Sequence, residues 1–206
     1  MDGVLADSEQ YISKAAIMMF SELGLTVQPE DFKPFVGTGE NRYIGGVAEK
    51  YGLKVDIQKV KARTYSIYQE IIKGNLKPLP GAVSFVKSCR KSDFKIAVAT
   101  SADEVKMKAN LKEIGIPASM FDANVNGLEV VNKKPAPDIY FRAAQKLGLK
   151  PGECLVIEDS VSGIKAAKSA GCRILALTTS FDRSLLTEAD WICENLANVP
   201  DESLNW

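Results

Sequence analysis

Leu155-Val156-Ile157-Glu158-Asp159-Ser160 is the stretch whose reading decides the fold. A short apolar run rises through Cys154 to Ile157 and ends in two adjacent carboxylates. Ser160 then stands where it can cap a helix running through Ile164, Ala167 and Lys168 to Gly171. That pattern predicts a buried parallel strand, a tight turn and a helix. In open α/β sheets, ligands bind outside the carboxyl ends of the strands, so Glu158 and Asp159 occupy a place where chemistry is done. Two neighbouring carboxylates at a half-buried strand end repel each other, and a hard, oxygen-liganded cation such as Mg²⁺ relieves the repulsion. Read alone, the pair also fits a helix-capping Asp159 beside a solvated Glu158.

Outward from this stretch the same alternation repeats. Arg173 to Thr178 predicts the next strand, and Trp191-Ile192-Cys193 a last short one. Upstream come a strand over Phe94 to Thr100, a helix from Asp103 to Ile114 and a shorter strand over Met120 to Val125. A helix then starts at Pro135-Ala136-Pro137-Asp138 and stops at Gly148. Strands alternating with helices of ten or more residues imply parallel βαβ units. Residues 9 to 77 carry no strand pattern. Helices are predicted there from Glu9 to about Leu23 (capped by Asp7 or Ser8), at Pro29, from about Asn41 to Tyr51, and from Ile57 to Lys73 behind an Asp56 cap. The expected architecture is α/β, a Rossmann-like parallel sheet core of residues 1–8 and 78–206 with an inserted all-helical cap of residues 9–77.

The chain has 206 residues, 46% hydrophobic and 25% charged, with a formal net charge of zero. Bulk electrostatics therefore argue for neither a nucleic-acid nor an anionic-membrane partner, and no apolar run reaches the length of a membrane span. No basic segment followed by an apolar one opens the chain. Cys89, Cys154, Cys172 and Cys193 fit no metal or redox spacing and read as reduced thiols, so the expected setting is cytoplasmic. Histidine is absent, which removes Ser-His-Asp hydrolysis, Cys-His proteolysis and histidine-ligated zinc.

Two further strand ends present polar groups. Thr100-Ser101 follows a strand and opens a helix, which favours an anion, although the same pair also reads as a helix cap. Lys134 precedes two prolines that fix its backbone, and alone it also reads as a surface lysine. With Asp2, the order along the chain is acid, hydroxyl, lysine, acid pair. Phosphoryl transfer calls for that set: donors and a lysine for the phosphate oxygens, a cation, and an acid–base group.

In Met1-Asp2-Gly3-Val4, Val98-Ala99-Thr100-Ser101, Lys134-Pro135-Ala136-Pro137-Asp138 and Val156-Ile157-Glu158-Asp159-Ser160, the chain resembles the haloacid dehalogenase superfamily. Within that superfamily it is similar to the branch of β-phosphoglucomutase-like and phosphoglycolate-phosphatase-like enzymes. The resemblance implies a Mg²⁺-dependent phosphatase acting on a small phosphorylated metabolite, as a monomer. It further implies that Asp2 is the general acid/base and lends its backbone carbonyl to the metal. Thr100 and the Ser101 backbone hold the phosphoryl group, and Lys134 neutralises it. Asp159 ligates Mg²⁺, with Glu158 beside it or acting through water. The insert would be a mobile cap whose turn at Thr38, Gly39 and Arg42 reaches the substrate, Arg42 being either a holder of a second anion or simply solvated.

The family's first motif is Asp-x-Asp-Gly, whose first aspartate attacks phosphorus. Met1 matches the x and Asp2 the second aspartate. The nucleophile and its strand are therefore expected immediately before Met1, the alternative being a binding protein that has lost them. A phosphomutase is a second reading within the branch. It fits less well, because such mutases use a histidine near the position of Ile12, and dehalogenases lack the aspartate matched by Asp2.

Overall fold

The computed structural model describes residues 1–35 and 39–205. Five strands are parallel throughout: β1 (Ala97–Ala99) pairs with β2 (Ala123–Val125), and β3 (Leu155–Glu158) pairs with β4 (Arg173–Leu177), which pairs with β5 (Trp191–Cys193). Among the described residues, β1 and β3 each have a strand on one side only. Helix α4 (Ala82–Lys91) leads into β1, and α5 (Glu104–Glu113), α6 (Asp138–Leu147) and α7 (Val161–Ala170) connect β1 through β4 as βαβ logic requires. Small residues let α7 lie close to the sheet, with Ala166, Ala167 and Ala170 buried beside Ile164 and Ile174. Gly148 and Gly171 end α6 and α7 in the left-handed conformation, which glycine adopts without a Cβ clash.

The insert is helical, as its sequence pattern predicts: α1 (Glu9–Glu22), a 3-10 turn at Pro29–Phe35, α2 (Glu40–Lys50) and α3 (Ile57–Ile72). Asp56 caps α3 by accepting from the N–H groups of Gln58 and Lys59. Ile12, Ala15, Ala16, Met19 and Phe20 of α1 are buried and share one apolar cluster with Tyr65, Ile67, Tyr68 and Ile72 of α3. Phe32 stacks on Tyr43 with ring centroids 4.9 Å apart, and Phe20 tilts against Phe32 at 6.2 Å. The chain leaves and re-enters the core side by side: Ala6 bridges to Pro78, and the Leu79 N–H donates to the Leu5 carbonyl at 2.9 Å.

Two sequence expectations shift. The strand expected over Phe94 to Thr100 forms only at Ala97–Ala99, because pairing runs only where β2 lies alongside, from Ala97↔Ala123 to Ala99↔Val125. Ser8 occupies the position before α1 but makes no side-chain cap; its hydroxyl is used elsewhere.

Gly81, just past the re-entry point, adopts φ +81°, and a Cβ there would meet the Ala197 nitrogen at 2.1 Å. Strain and overpacking act together at such a site. Gly81→Ala is expected to destabilise the protein by about 2–4 kcal/mol, read as a lowered midpoint in urea unfolding with an unchanged slope.

Candidate functional site

Strand β3 delivers Glu158 and Asp159 to its carboxyl end, and α7 begins directly after them because the Ser160 hydroxyl accepts from the Gly163 N–H at 3.1 Å. Gly163 makes room for this return: a Cβ there would fall 2.1 Å from the Glu158 carboxyl carbon. Glu158 is 5% exposed, and both its oxygens are engaged. Oε1 accepts from Lys134 Nζ and, at 2.9 Å, from the Tyr140 hydroxyl. Oε2 accepts from the Asp159 and Ser160 N–H groups at 3.1 Å and from Ser160 Oγ at 2.8 Å. Burial opposes ionisation, but Lys134 and these hydrogen bonds outweigh it and hold Glu158 down at about 2.

Asp159 has a different environment. Its Oδ2 lies against Gly3, where a Cβ would fall 1.8 Å away, and accepts from the Ser180 hydroxyl. Among the described residues no lysine or arginine forms an ion pair with it, Lys134 being paired to Glu158. Burial and the neighbouring Glu158 push Asp159 up to about 6. An oxygen ligand beside a second carboxylate, with no ion-pair partner of its own, has the chemistry of a site for a hard divalent cation.

Asp2 sits in the turn from Met1 to Ala6, which closes through the Gly3 N–H donating to the Ala6 carbonyl at 2.9 Å with Gly3 at φ +67°. Asp2 Oδ1 accepts from the Ser8 hydroxyl and, at 3.1 Å, from the Asn110 amide. Its Oδ2 lies 3.5 Å from Lys106 Nζ. Burial works against the charge, yet Lys106 and the Ser8 hydrogen bond contribute to keeping Asp2 below the usual carboxylate range. Thr100, 3% exposed, is fixed by its N–H to the Val125 carbonyl, while its Oγ1 accepts from the Ala102 N–H at 3.2 Å. Lys134 Nζ lies 5.2 Å from the Tyr140 ring centroid as well as on Glu158.

These side chains meet in one cleft of about 460 Å³, lined by Asp2, Thr100, Ser101, Lys134, Glu158 and Asp159 and, from the insert, by Gly39 and Glu40. A smaller cavity of about 220 Å³ beside α4 holds none of them. Arg42 is not brought to the cleft. Its guanidinium pairs with Glu49 at 2.6 Å and lies over the Phe35 ring. Thr38 lies outside the described residues.

Sequence reasoning passed over Lys106, Asn110, Tyr140 and Ser180. Asp103, Lys106 and Asn110 recur at positions i, i+3 and i+7 along α5 and its N-cap, and all three are buried. That spacing was visible, but a polar helical stripe ordinarily faces water. Here it faces α3 and Asp2: Lys61 pairs with Asp103 at 2.7 Å, and the Tyr68 hydroxyl donates to Asn110 at 2.5 Å. Lys106 also lies 3.9 Å from Glu40. Lys106→Met would strand Asp2 and Glu40 without their shared cation, at about 3–5 kcal/mol near pH 7.5. Both carboxyls would then rise in the folded state and take up protons, so stability falls as pH rises. Much of the loss should return at pH 5, as measured by denaturant unfolding at the two pH values.

The family profile of haloacid dehalogenase-like hydrolases matches residues 1–177. Over 207 residues the chain is 41% identical to Protein SUPPRESSOR OF QUENCHING 1, chloroplastic, of Arabidopsis thaliana, covering 97% of this chain but 19% of that protein. It is 32% identical over 213 residues to the Phosphorylated carbohydrates phosphatase of Thermotoga maritima, covering 99% and 97% of the two chains. The crystal structure of CbbY from Rhodobacter sphaeroides in complex with phosphate superposes with a TM-score of 0.88 at 24% identity, covering 100% of this chain and 96% of that one, a likeness in fold. With its motif residues gathered in one cleft of an α/β core, the chain belongs to the haloacid dehalogenase-like hydrolase family.

Proposed function

We propose that the protein is a Mg²⁺-dependent phosphatase that hydrolyses a small phosphorylated metabolite, a sugar phosphate or a phosphoglycolate-like ester, through an aspartyl-phosphate. The observation that carries this reading is the convergence of Asp2, Thr100, Lys134 and Asp159 on one cleft from four separate segments of the chain. The name of the Thermotoga relative, a phosphatase of phosphorylated carbohydrates, supports the substrate class.

Asp159 would hold the metal, with the Asp2 carbonyl as a second oxygen ligand; Glu158, its oxygens already engaged, keeps Lys134 in place and would add negative charge beside the metal. Bound there, Mg²⁺ supplies Lewis-acid neutralisation of the phosphate oxygens. The attacking aspartate would stand two positions before Asp2. Thr100 and the Ser101 backbone receive the phosphoryl oxygens at the start of the loop into α5, and Lys134 adds charge. Asp2 would protonate the leaving oxygen as the aspartyl-phosphate forms, with a proton drawn from solvent because Lys106 otherwise keeps it ionised, and would then take a proton from the incoming water, a role worth roughly 10²–10⁴-fold in rate. The free thiols suit a reducing compartment such as the cytoplasm, and among the described residues no helix is long and apolar enough to cross a membrane.

Hydrolysis of an aryl phosphate in Mg²⁺ tests the reading, with the 206-residue chain beside a version in which an apolar strand ending in aspartate directly precedes Met1. Turnover is expected from the extended form, and Asp159→Asn should abolish it; no turnover from either form sinks the phosphatase assignment. Metal binding has its own readout. Because burial and Glu158 raise the folded Asp159 to about 6, the metal-free protein carries a charge penalty that grows as pH rises through that value. Mg²⁺ should therefore raise the melting temperature at pH 7.5, have little effect at pH 5, and have none in Asp159→Asn. A shift that is equal at both pH values, or that survives in the variant, places the metal elsewhere.

A further inference from the structure

The cleft carries more acid than its phosphoryl chemistry uses. Beyond Asp2, Glu158 and Asp159 its lining includes Asp7, Glu9 and Glu40, and among the described residues its only cationic side chains are Lys106 and Lys134. Both are committed, Lys134 to Glu158 and Lys106 to Asp2 and Glu40. A second anionic group on a substrate would find no free cation in the described lining and would face carboxylates. Arg42, the residue that would have answered such a group, is paired to Glu49 away from the cleft.

Glu40 is the residue of this set without a full complement of partners. It is the first residue of α2, 7% exposed, and its Oε2 is buried with no hydrogen-bond partner among the described residues, while Lys106 approaches Oε1 from the core at 3.9 Å. A buried acceptor left unmatched is costly, and a donor brought by a ligand removes that cost. Glu9, by contrast, is already bonded by the Tyr43 hydroxyl at 3.1 Å. Burial pushes Glu40 up to about 7, with Lys106 pulling it back, so near neutral pH it is a poised acceptor.

We propose that Glu40 is the cap's specificity-determining residue: it accepts a hydrogen bond from a hydroxyl on the carbon skeleton of a monophosphate ester, and its charge rejects esters that carry a second phosphate or a carboxylate. This rests on the phosphatase reading and narrows it, favouring phosphates of neutral polyols and sugars over bisphosphates and phosphoglycolate. Lys106 is a positioning residue, tying Glu40 of the insert to Asp2 of the core. A purely structural role would instead make Glu40 a partner for the nearby Tyr65, whose hydroxyl is buried close to both Glu40 and Asp103.

The test measures affinity by calorimetry in Mg²⁺, and kcat/KM where turnover is present. The probes are a hexitol monophosphate, a hexose bisphosphate, 2-phosphoglycolate and inorganic phosphate. The wild-type protein should prefer the hexitol monophosphate by tenfold or more. Glu40→Gln keeps an acceptor but loses the charge, and should narrow that preference about tenfold by improving the two probes that carry a second anionic group. Glu40→Ala should weaken the hexitol monophosphate by roughly ten- to a hundredfold. Tyr65→Phe should leave the preference as it was. The proposal is overturned if both Glu40 variants melt like the wild type and keep its preference within about twofold, or if Tyr65→Phe shifts it together with Glu40→Ala. If no form binds any phosphate ester or inorganic phosphate, the phosphatase reading itself fails, and that result is distinct from an unaltered preference.

Discussion

A carboxylate drawn into a protein wall needs compensating charge or hydrogen bonds, and the rest of this structure is arranged about that requirement at Asp2. Its partners come from two places far apart in sequence: Ser8 from the next few residues, and Asn110 and Lys106 from a helix about a hundred residues on. The same two α5 residues also face the insert, Asn110 through Tyr68 and Lys106 through Glu40. Satisfying one acid on the core turn thus fixes where α3 and α2 sit over the cleft. The apolar cluster that joins α1 and α3 to the core supplies bulk attraction, which is non-directional. Register between insert and core comes from the polar stripe of α5.

Much of this was legible from local signals. The punctuation by Pro and Gly marked the insert at residues 77–81, and strands alternating with helices announced the parallel sheet. Helices such as α3 and α7 start at caps that the structure confirms in Asp56 and Ser160. Strand lengths were overread, because an apolar run extends as far as its residues do but a ladder only as far as its neighbour. Phe94 is 44% exposed, and Lys95 reaches across to the Leu147 carbonyl instead of entering β1.

What could not be read was which polar groups face each other across long sequence separations. Ser8 looks like a helix cap because Ser commonly is one; its hydroxyl goes instead to the stronger acceptor, a carboxylate. Lys106 looks like a surface lysine, since lysine is almost never buried unpaired, and its two acidic partners lie on other elements. Arg42 is the converse case: adjacent in sequence to a glycine-rich turn expected to reach substrate, it is turned outward by a glutamate seven positions along its own helix.

Four of the carboxyl groups lining the cleft are driven apart by two lysines. Glu158, with Lys134 on it, is held at about 2; Asp2, beside Lys106, is also depressed. Glu40 shares that same Lys106 at a longer distance and is left at about 7, and Asp159, with no ion-pair partner among the described residues, at about 6. Groups of one chemical type acquire different tasks when their surroundings separate their proton affinities. Of these four, the two left high are those with unmet demand, one facing the proposed metal and one facing the proposed substrate hydroxyl. Adding a third cation to this lining would lower both and erase that distinction, so the scarcity of lysine in the cleft is itself part of what defines the site.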